Sequence, residues 1–218
     1  IFIGLPTSLE FLMMFVIFIV IYYVIRPFGA EAQAGFGIGG RIMQSIFLPA
    51  MAIAFAAAPI AGQNFGAKRY DRVRETFTVT ALIGSGIMLT LSILCHISPG
   101  LLARPFTDDP AVLAVSNDYL QIVSWNFVFS GLVMAAGSLF QGMGDTRPSL
   151  FASATRTLTF IAPVLWASTQ PWFTLRDVWL ISVASVIAQC ALSMWLLFET
   201  FKRKLGPPTP APIAAAAG

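Results

Sequence analysis

Three ionisable side chains, Glu10, Arg41 and Arg156, stand inside long apolar stretches of the sequence. If these stretches span a membrane, each buried charge is costly and marks an ion or substrate pathway or an internal ion pair. Glu10 and Arg156 are both predicted to lie about 10 Å from the same membrane surface, so the two could pair and are the candidates for ion coupling. Arg41 is harder to satisfy and could reach backbone carbonyls that Pro49 leaves free. The alternative is that these side chains form a static ion pair that holds helices together, and the sequence favours neither this structural role nor the functional one.

A second set of polar side chains lies in the outer half of the fourth apolar stretch. Their spacing predicts that they share one side of a helix, as in the wall of a wet cavity. The alternative is that an aspartate and a tryptophan of this set anchor the helix at the membrane interface, and the sequence favours neither interpretation. The residues are Asn117, Asp118, Gln121, Ser124 and Trp125.

The residue inventory excludes several kinds of chemistry. One histidine, His96, and two cysteines, Cys95 and Cys190, are too few for a bis-histidine haem, a structural zinc site or a disulfide framework. Both cysteines are expected to be buried thiols. A membrane-embedded enzyme would need a nucleophile with a base or a pair of acids, which His96 does not supply. The prediction is therefore no enzyme and no metal site, and a net charge of only +3 implies no nucleic-acid partner.

The composition identifies the elements that position these residues. The 218 residues are 57% hydrophobic and 11% charged, with a mean hydropathy of +0.79, which excludes an ordinary soluble domain. Unbroken apolar runs without period-two alternation favour helices over barrel strands, and the length accommodates about six spans. The sequence thus predicts an all-α polytopic membrane protein with a lipid bilayer around it. The spans are predicted at 5–25, 34–61, 77–96, 112–140, 149–167 and 178–201.

Loop charges predict the orientation, since cytoplasmic loops carry the excess of Lys and Arg. Eight basic residues fall on one side and three on the other, so both ends are expected in the cytoplasm of a multi-pass inner (plasma) membrane protein. Residues 1–204 form the predicted six-helix unit, and the Pro- and Ala-rich stretch 205–218 is predicted to be a disordered cytoplasmic tail. The chain begins at Ile1 directly before an apolar stretch, so it is expected to be a piece of a longer protein.

Glycines supply two further patterns. Gly35 and Gly39 lie four residues apart in the second span and predict close approach of another helix. Two loops, each with a pair of glycines, follow the second and fourth spans on the predicted cytoplasmic side. Their motif residues are Gly62, Gln63, Gly66 and Ala67 in one loop and Gly142, Gly144 and Asp145 in the other.

These two loops, together with Gly4-Leu5-Pro6, Arg41 and Pro49, resemble the multidrug and toxic compound extrusion (MATE) family over nearly the whole chain. The resemblance implies the C-terminal six of twelve helices, one lobe of a transporter that exports organic, often cationic, compounds in exchange for Na⁺ or H⁺. It implies an N-terminal six-helix half as partner and no cofactor beyond the coupling ion. A lipid-linked oligosaccharide flippase of the same broad superfamily and a non-transporting structural membrane subunit are the alternatives.

The family's intramembrane acids, by contrast, match Met14 and Ser130 of this sequence. The resemblance therefore implies that Glu10 is a shifted substitute or that the coupling acid lies in the other half.

Overall fold

The structure, a computed structural model, describes residues 4–206, and over this range the chain is helical with short connections. This confirms the predicted all-α class. Two short 3₁₀ turns lie at Arg26–Phe28 and Arg104–Phe106. The helices are α1 (Gly4–Ile25), α2 (Ala30–Gly66), α3 (Tyr70–Ile97), α4 (Pro99–Ala103), α5 (Pro110–Val123), α6 (Asn126–Gly142), α7 (Arg147–Ala167) and α8 (Leu175–Leu205).

Five of these helices are long and apolar enough to cross a membrane, namely α1, α2, α3, α7 and α8. The helices α5 and α6 form a sixth span together, bent by 55° at a short break. The six predicted spans are thereby confirmed, and the protein is a multi-pass membrane protein. Of the predicted tail, Leu205 ends α8 and Gly206 follows it, while 207–218 lie outside the described residues.

The predicted span over 112–140 is broken at Ser124, where side chains take part in hydrogen bonds that a regular helix leaves to the backbone. The Ser124 hydroxyl donates to the carbonyl of Gln121 at 2.9 Å, the acceptor that the next backbone N–H of a regular helix would use. The hydroxyl of Ser92 on α3 donates to the carbonyl of Ser124 at 2.9 Å. These bonds stabilise the kink and tie it to α3.

The helices alternate in direction, so the clusters of Lys and Arg after α2, before α7 and at the end of α8 gather at one end of the bundle. We call this the basic end. The helices α2 and α6 lie centrally and pack on α3, while α7 packs on α8 and α1 packs on α7. The helix α1 touches its sequence neighbour α2 only weakly. Two apolar clusters fill the bundle, one around Phe36, Phe127 and Trp179 and one at the basic end around Val73 and Leu139.

The predicted close approach at Gly35 and Gly39 is confirmed, and the approaching helix is α5. A methyl group on Gly35 would lie 2.7 Å from the Val115 side chain, and one on Gly39 would lie 2.3 Å from the Tyr119 ring. Only glycine leaves room for these side chains, so the pair fixes the position of Tyr119 against α2.

Candidate functional site

Glu10 is the acidic side chain that lies within the apolar part of α1. It is half-buried and lies six residues from the start of the helix, about 9 Å along its axis. The hydroxyl of Ser149, near the start of α7, hydrogen-bonds to the carboxylate. This contact follows from the packing of α1 on α7, whose first turns lie side by side at the basic end. The Glu10 carboxylate therefore has a neutral partner.

The predicted pair between Glu10 and Arg156 is not formed in this structure. Arg156 lies seven residues beyond Ser149 on α7, which is about 10 Å further along the helix axis. Within residues 4–206, neither Glu10 nor Arg156 takes part in an ion pair. Residue counts predict a similar depth for Glu10 and Arg156, but α1 packs on α7 so that Glu10 lies next to Ser149, near the start of α7.

Arg156 is instead within electrostatic range of Tyr119 of α5. The guanidinium is half-buried and interacts electrostatically with the phenol group. Arg156 is nine residues from the start of α7 and Tyr119 is nine residues from the start of α5, which enters from the opposite end. Each is therefore about 13 Å from its own end, so both lie at a similar depth near the middle of the membrane.

Tyr119 belongs to an aromatic cluster that joins four helices. Phe36 of α2 lies at its centre and stacks on Trp179 of α8 with ring centroids 5.6 Å apart. Tyr119 meets Phe36 edge-on at 5.4 Å and Trp179 at 4.8 Å. Tyr22 and Phe18 of α1 contact Phe36 at 5.1 and 6.0 Å. We call these five residues the aromatic cluster; it is buried on the α2, α5 and α8 side and open along α1.

The aromatic cluster also contains a buried donor without an acceptor. The Trp179 ring is 1% exposed, and its Nε1 has no hydrogen-bond partner among the described residues. Buried indole N–H groups usually find a partner, since leaving one unsatisfied costs about 1 to 3 kcal/mol. The Trp179 indole, which can only donate, is therefore left unsatisfied within the aromatic cluster.

Arg41 does not make the predicted contact with a carbonyl freed by Pro49. Its side chain is exposed on α2, and within the described part of the chain its guanidinium forms no hydrogen bond or ion pair. Pro49 frees the carbonyl of Ser45, which lies one turn beyond Arg41 towards the C-terminal end of the helix. Side chains on a helix lean towards its N-terminus, so Arg41 points away from that carbonyl.

The kink separates the polar residues predicted to share one helix side. Asp118 binds Arg176 of α8 through both carboxylate oxygens, at 2.6 and 3.0 Å. Ser124 is fully buried with its hydroxyl 3.0 Å from His96 Nδ1, whereas Trp125 is 63% exposed and packs edge-on against His96. The prediction of one continuous stripe is wrong because Ser124 ends the helix that carries the others.

The remaining two residues of that set stay on α5. Gln121 is exposed, and Asn117 is half-buried with an Oδ1 that has no hydrogen-bond partner among the described residues. They lie one turn apart and therefore on one side of α5. A cavity-lining role for these side chains stays a prediction.

The two glycine loops meet at the basic end. A methyl group on Gly142 would lie 2.6 Å from the carbonyl oxygen of Ala58 and 3.0 Å from the backbone nitrogen of Gly62. The ends of α6 and α2 therefore pack backbone to backbone. Gly144 has a φ of 73°, which favours glycine in this turn. Asp145 then binds Lys204 at the end of α8 at 3.3 Å.

The other loop residues complete the end of α2. Gly66 ends the helix, and the N–H of Ala67 donates to the carbonyl of Gln63 at 3.0 Å. Gln63, Gly66 and Ala67 are exposed. These residues shape the helix terminus and contribute no buried side-chain contact.

Sequence reasoning missed the aromatic cluster and the partner of Glu10. Tyr119 stands between two residues that were selected, Asp118 and Gln121, but aromatic residues in a membrane span more often face lipid than a site. The glycine pair of α2 is the signal that could have indicated Tyr119. Glycines that allow another helix to approach closely leave space for a side chain of that helix, and here Tyr119 fills it. Nothing in the sequence indicates that Ser149 is the neighbour of Glu10.

Comparisons with known proteins agree on one family. The sequence profile of MatE matches residues 6–166. A relative named "Probable multidrug resistance protein YpnP" from Bacillus subtilis is 25% identical over 214 residues, covering 91% of this chain and 45% of the relative. A "Probable multidrug resistance protein NorM" from Thermotoga maritima is 23% identical, covering 88% of this chain and 42% of that protein. The chain therefore spans about half the length of these relatives.

A solved structure shows the same fold. It is the outward-facing conformation of a multidrug resistance MATE family transporter of the MOP superfamily, with a TM-score of 0.86 at 20% identity. The alignment covers 94% of this chain and 46% of that one. The chain thus has the fold of one lobe of a larger transporter.

Proposed function

The chain belongs to the MatE family, and on that premise we propose that it is one lobe of a secondary-active transporter that exports organic compounds in exchange for Na⁺ or H⁺. The names of its relatives, which are multidrug resistance proteins, support this class of substrate. The whole transporter then needs a second six-helix half, as the twofold length of the relatives suggests. Its place is the inner (plasma) membrane, with the basic end in the cytoplasm.

The observation that carries the proposal is Glu10. It is an acid within a membrane-spanning helix, it has no basic partner among residues 4–206, and the neutral hydroxyl of Ser149 lies beside it. A carboxylate in this setting is stabilised when it binds a proton or Na⁺, and release of that ion restores the charge. Exchange of an ion at Glu10 in step with exposure to each side of the membrane would couple export to the gradient.

The test uses the complete transporter that contains this lobe, reconstituted in liposomes. Export of a fluorescent organic cation is measured under an imposed H⁺ gradient, an imposed Na⁺ gradient and neither. With Glu10→Gln we expect the gradient to lose its effect on export, because the amide cannot exchange an ion. Glu10→Asp keeps the carboxylate and should retain part of the dependence.

Glu31→Gln is the matched control, since Glu31 is exposed at the opposite end, in the first turn of α2. It should export like the wild type. If Glu10→Gln keeps full gradient dependence, the coupling acid lies in the other half and Glu10 is structural. If the wild type shows no gradient-driven export at all, the proposed function is wrong and a structural membrane subunit explains the chain better.

A further inference from the structure

A groove opens between α3 and α8 at the basic end of the bundle. Both helices pack on α6 but touch each other only weakly, which leaves the space between them open. This α3–α8 groove has a volume of about 650 Å³. Its walls include Arg74 and Phe77 of α3, and Phe198, Phe201 and Lys202 of α8.

The charged and the apolar side chains of the groove lie at different depths. α3 enters the membrane from the basic end, and Phe77 follows Arg74 by three residues, about 4.5 Å deeper. α8 runs the opposite way, and Phe198 precedes Lys202 by four residues, about 6 Å deeper. Both helices therefore place a cation nearer the water and a phenyl ring about one turn further into the apolar region.

Three phenyl rings form the apolar part of the groove. Phe77 packs edge-on against Phe201 and Phe198, with ring centroids 6.1 and 6.4 Å apart. Phe201 is buried in the apolar cluster at the basic end, whereas Phe198 is 52% exposed. The exposed ring offers apolar surface against which an acyl chain can pack.

The guanidinium of Arg74 is held at the mouth of the groove by two contacts. Its Nη2 donates to the carbonyl of Gly206, which also lines the groove, and its Nη1 donates to Asp71 at 3.3 Å. These two bonds use two of the five N–H donors of arginine. The guanidinium is thus positioned before a ligand binds, and the donors that these bonds leave suit a phosphate group.

The surroundings of the groove are rich in positive charge. Lys202 is 78% exposed and lies 3.8 Å from Glu199, an exposed pair of the kind that contributes little to stability. The ranges 68–75 and 199–204, which border the groove, together hold seven basic and three acidic residues. Such an excess of positive charge at the end of a membrane-spanning bundle attracts anionic lipids of the adjacent leaflet.

We propose that the α3–α8 groove binds one anionic phospholipid from the leaflet at the basic end. The phosphate binds Arg74 and Lys202, and an acyl chain packs against Phe77 and Phe198. A zwitterionic lipid offers the same phosphate but carries a cation beside it, which the two basic side chains repel, so the groove selects anionic headgroups. This inference goes beyond the proposed transport function and does not depend on it, because a lipid can bind without an ion gradient or an exported compound.

The experiment measures lipid binding to the purified complete transporter in detergent by native mass spectrometry. Phosphatidylglycerol and phosphatidylethanolamine with the same acyl chains are titrated separately. The wild type should bind one phosphatidylglycerol at least fivefold more tightly than phosphatidylethanolamine. Arg74→Gln and Lys202→Gln should each weaken phosphatidylglycerol binding about fivefold, the effect expected for one basic residue at a membrane surface, and should change phosphatidylethanolamine binding less than twofold.

The matched controls are Arg72→Gln and Arg203→Gln. Both arginines are exposed next to the groove but do not line it, so either change should weaken binding less than twofold. Phe198→Ala should weaken binding of both lipids alike, since it removes a contact with the acyl chain. If loss of the Gly206 contact unfolds the end of α8 in Arg74→Gln, Lys202→Gln still tests the proposal, because Lys202 pairs only with Glu199 among the described residues.

Equal affinity of the wild type for the two lipids would overturn the proposal. So would equal losses in the groove variants and the controls, because binding would then reflect general attraction to the basic end. Glycerol phosphate lacks acyl chains and should not compete at the concentration of the lipid; displacement of the lipid by it would indicate a site for free anions instead. Unchanged lipid binding in both groove variants would also refute the assignment, and would indicate that the other half of the transporter or residues 207–218 cover the groove.

Discussion

The contact between the ends of α2 and α6 predicts opposite effects of the same substitution at two glycines of one helix. In Gly142→Ala the new methyl group would lie 2.6 Å from the Ala58 carbonyl oxygen and 2.9 Å from the Ala61 Cβ. Ordinary contact begins near 3.4 Å, so the two helix ends must separate by about 0.8 Å. Backbone atoms cannot rotate away as a side chain can, and overpacking of this kind costs about 1 to 3 kcal/mol.

Gly137→Ala is the matched change on α6. Its methyl group would have the Ser149 hydroxyl as nearest neighbour at 3.7 Å, which is an ordinary contact. Alanine favours the helix over glycine by up to about 1 kcal/mol, so this variant should be as stable as the wild type or more stable. The difference between the two variants thus isolates the close backbone contact from the general effect of alanine in a helix.

The assay is reversible unfolding of the complete transporter in mixed micelles of a mild detergent and SDS, followed by tryptophan fluorescence. Gly142→Ala should shift the unfolding midpoint to lower SDS, and Gly137→Ala should leave it in place or raise it. If Gly142→Ala is as stable as Gly137→Ala, the ends of α2 and α6 do not pack backbone to backbone, and the structure of the basic end is incorrect.

Three further predictions follow from other parts of the molecule. Reporters fused after Lys204 and within the 68–74 loop should both report cytoplasm, and a periplasmic signal from either would contradict the orientation inferred from the loop charges. Lys204→Met should lower the free energy of unfolding by up to about 1 kcal/mol, and adding Asp145→Asn to this variant should lower it little further. If the effects of the two substitutions simply add in the double mutant, the two side chains do not interact. Cys95 and Cys190 are buried, so a membrane-impermeant maleimide should label them only after unfolding, and rapid labelling of the folded protein would contradict their placement.

The sequence alone predicts the number of membrane spans well, because apolar length is set by the bilayer and each connection carries Gly, Pro or charge. It also predicts the close packing at Gly35 and Gly39. The kink at Ser124 could not be predicted from the sequence. Serine is tolerated within membrane helices, and the hydrogen bond that stabilises the break comes from Ser92 on another helix. Local pattern holds no information about such a partner.

The candidate site is predicted only in part for the same reason. Glu10 and Arg156 stand out because each is an ionisable group in an apolar stretch, but a count of residues gives depth to within a turn or more and no lateral position. Packing of α1 on α7 decides that Glu10 lies near Ser149 and not near Arg156. Such neighbours are determined by tertiary packing, and residue type alone does not predict them.

The central claim is that this chain is one lobe of an ion-driven exporter, and gradient-driven accumulation tests it most directly. The complete transporter is reconstituted in liposomes, a fluorescent organic substrate is present at equal concentration on both sides, and a Na⁺ or H⁺ gradient is then imposed. The account predicts net movement of the substrate against its own developing gradient, abolished by an ionophore that dissipates the driving ion. Substrate movement that stops at equal concentrations, with or without the ion gradient, would contradict it.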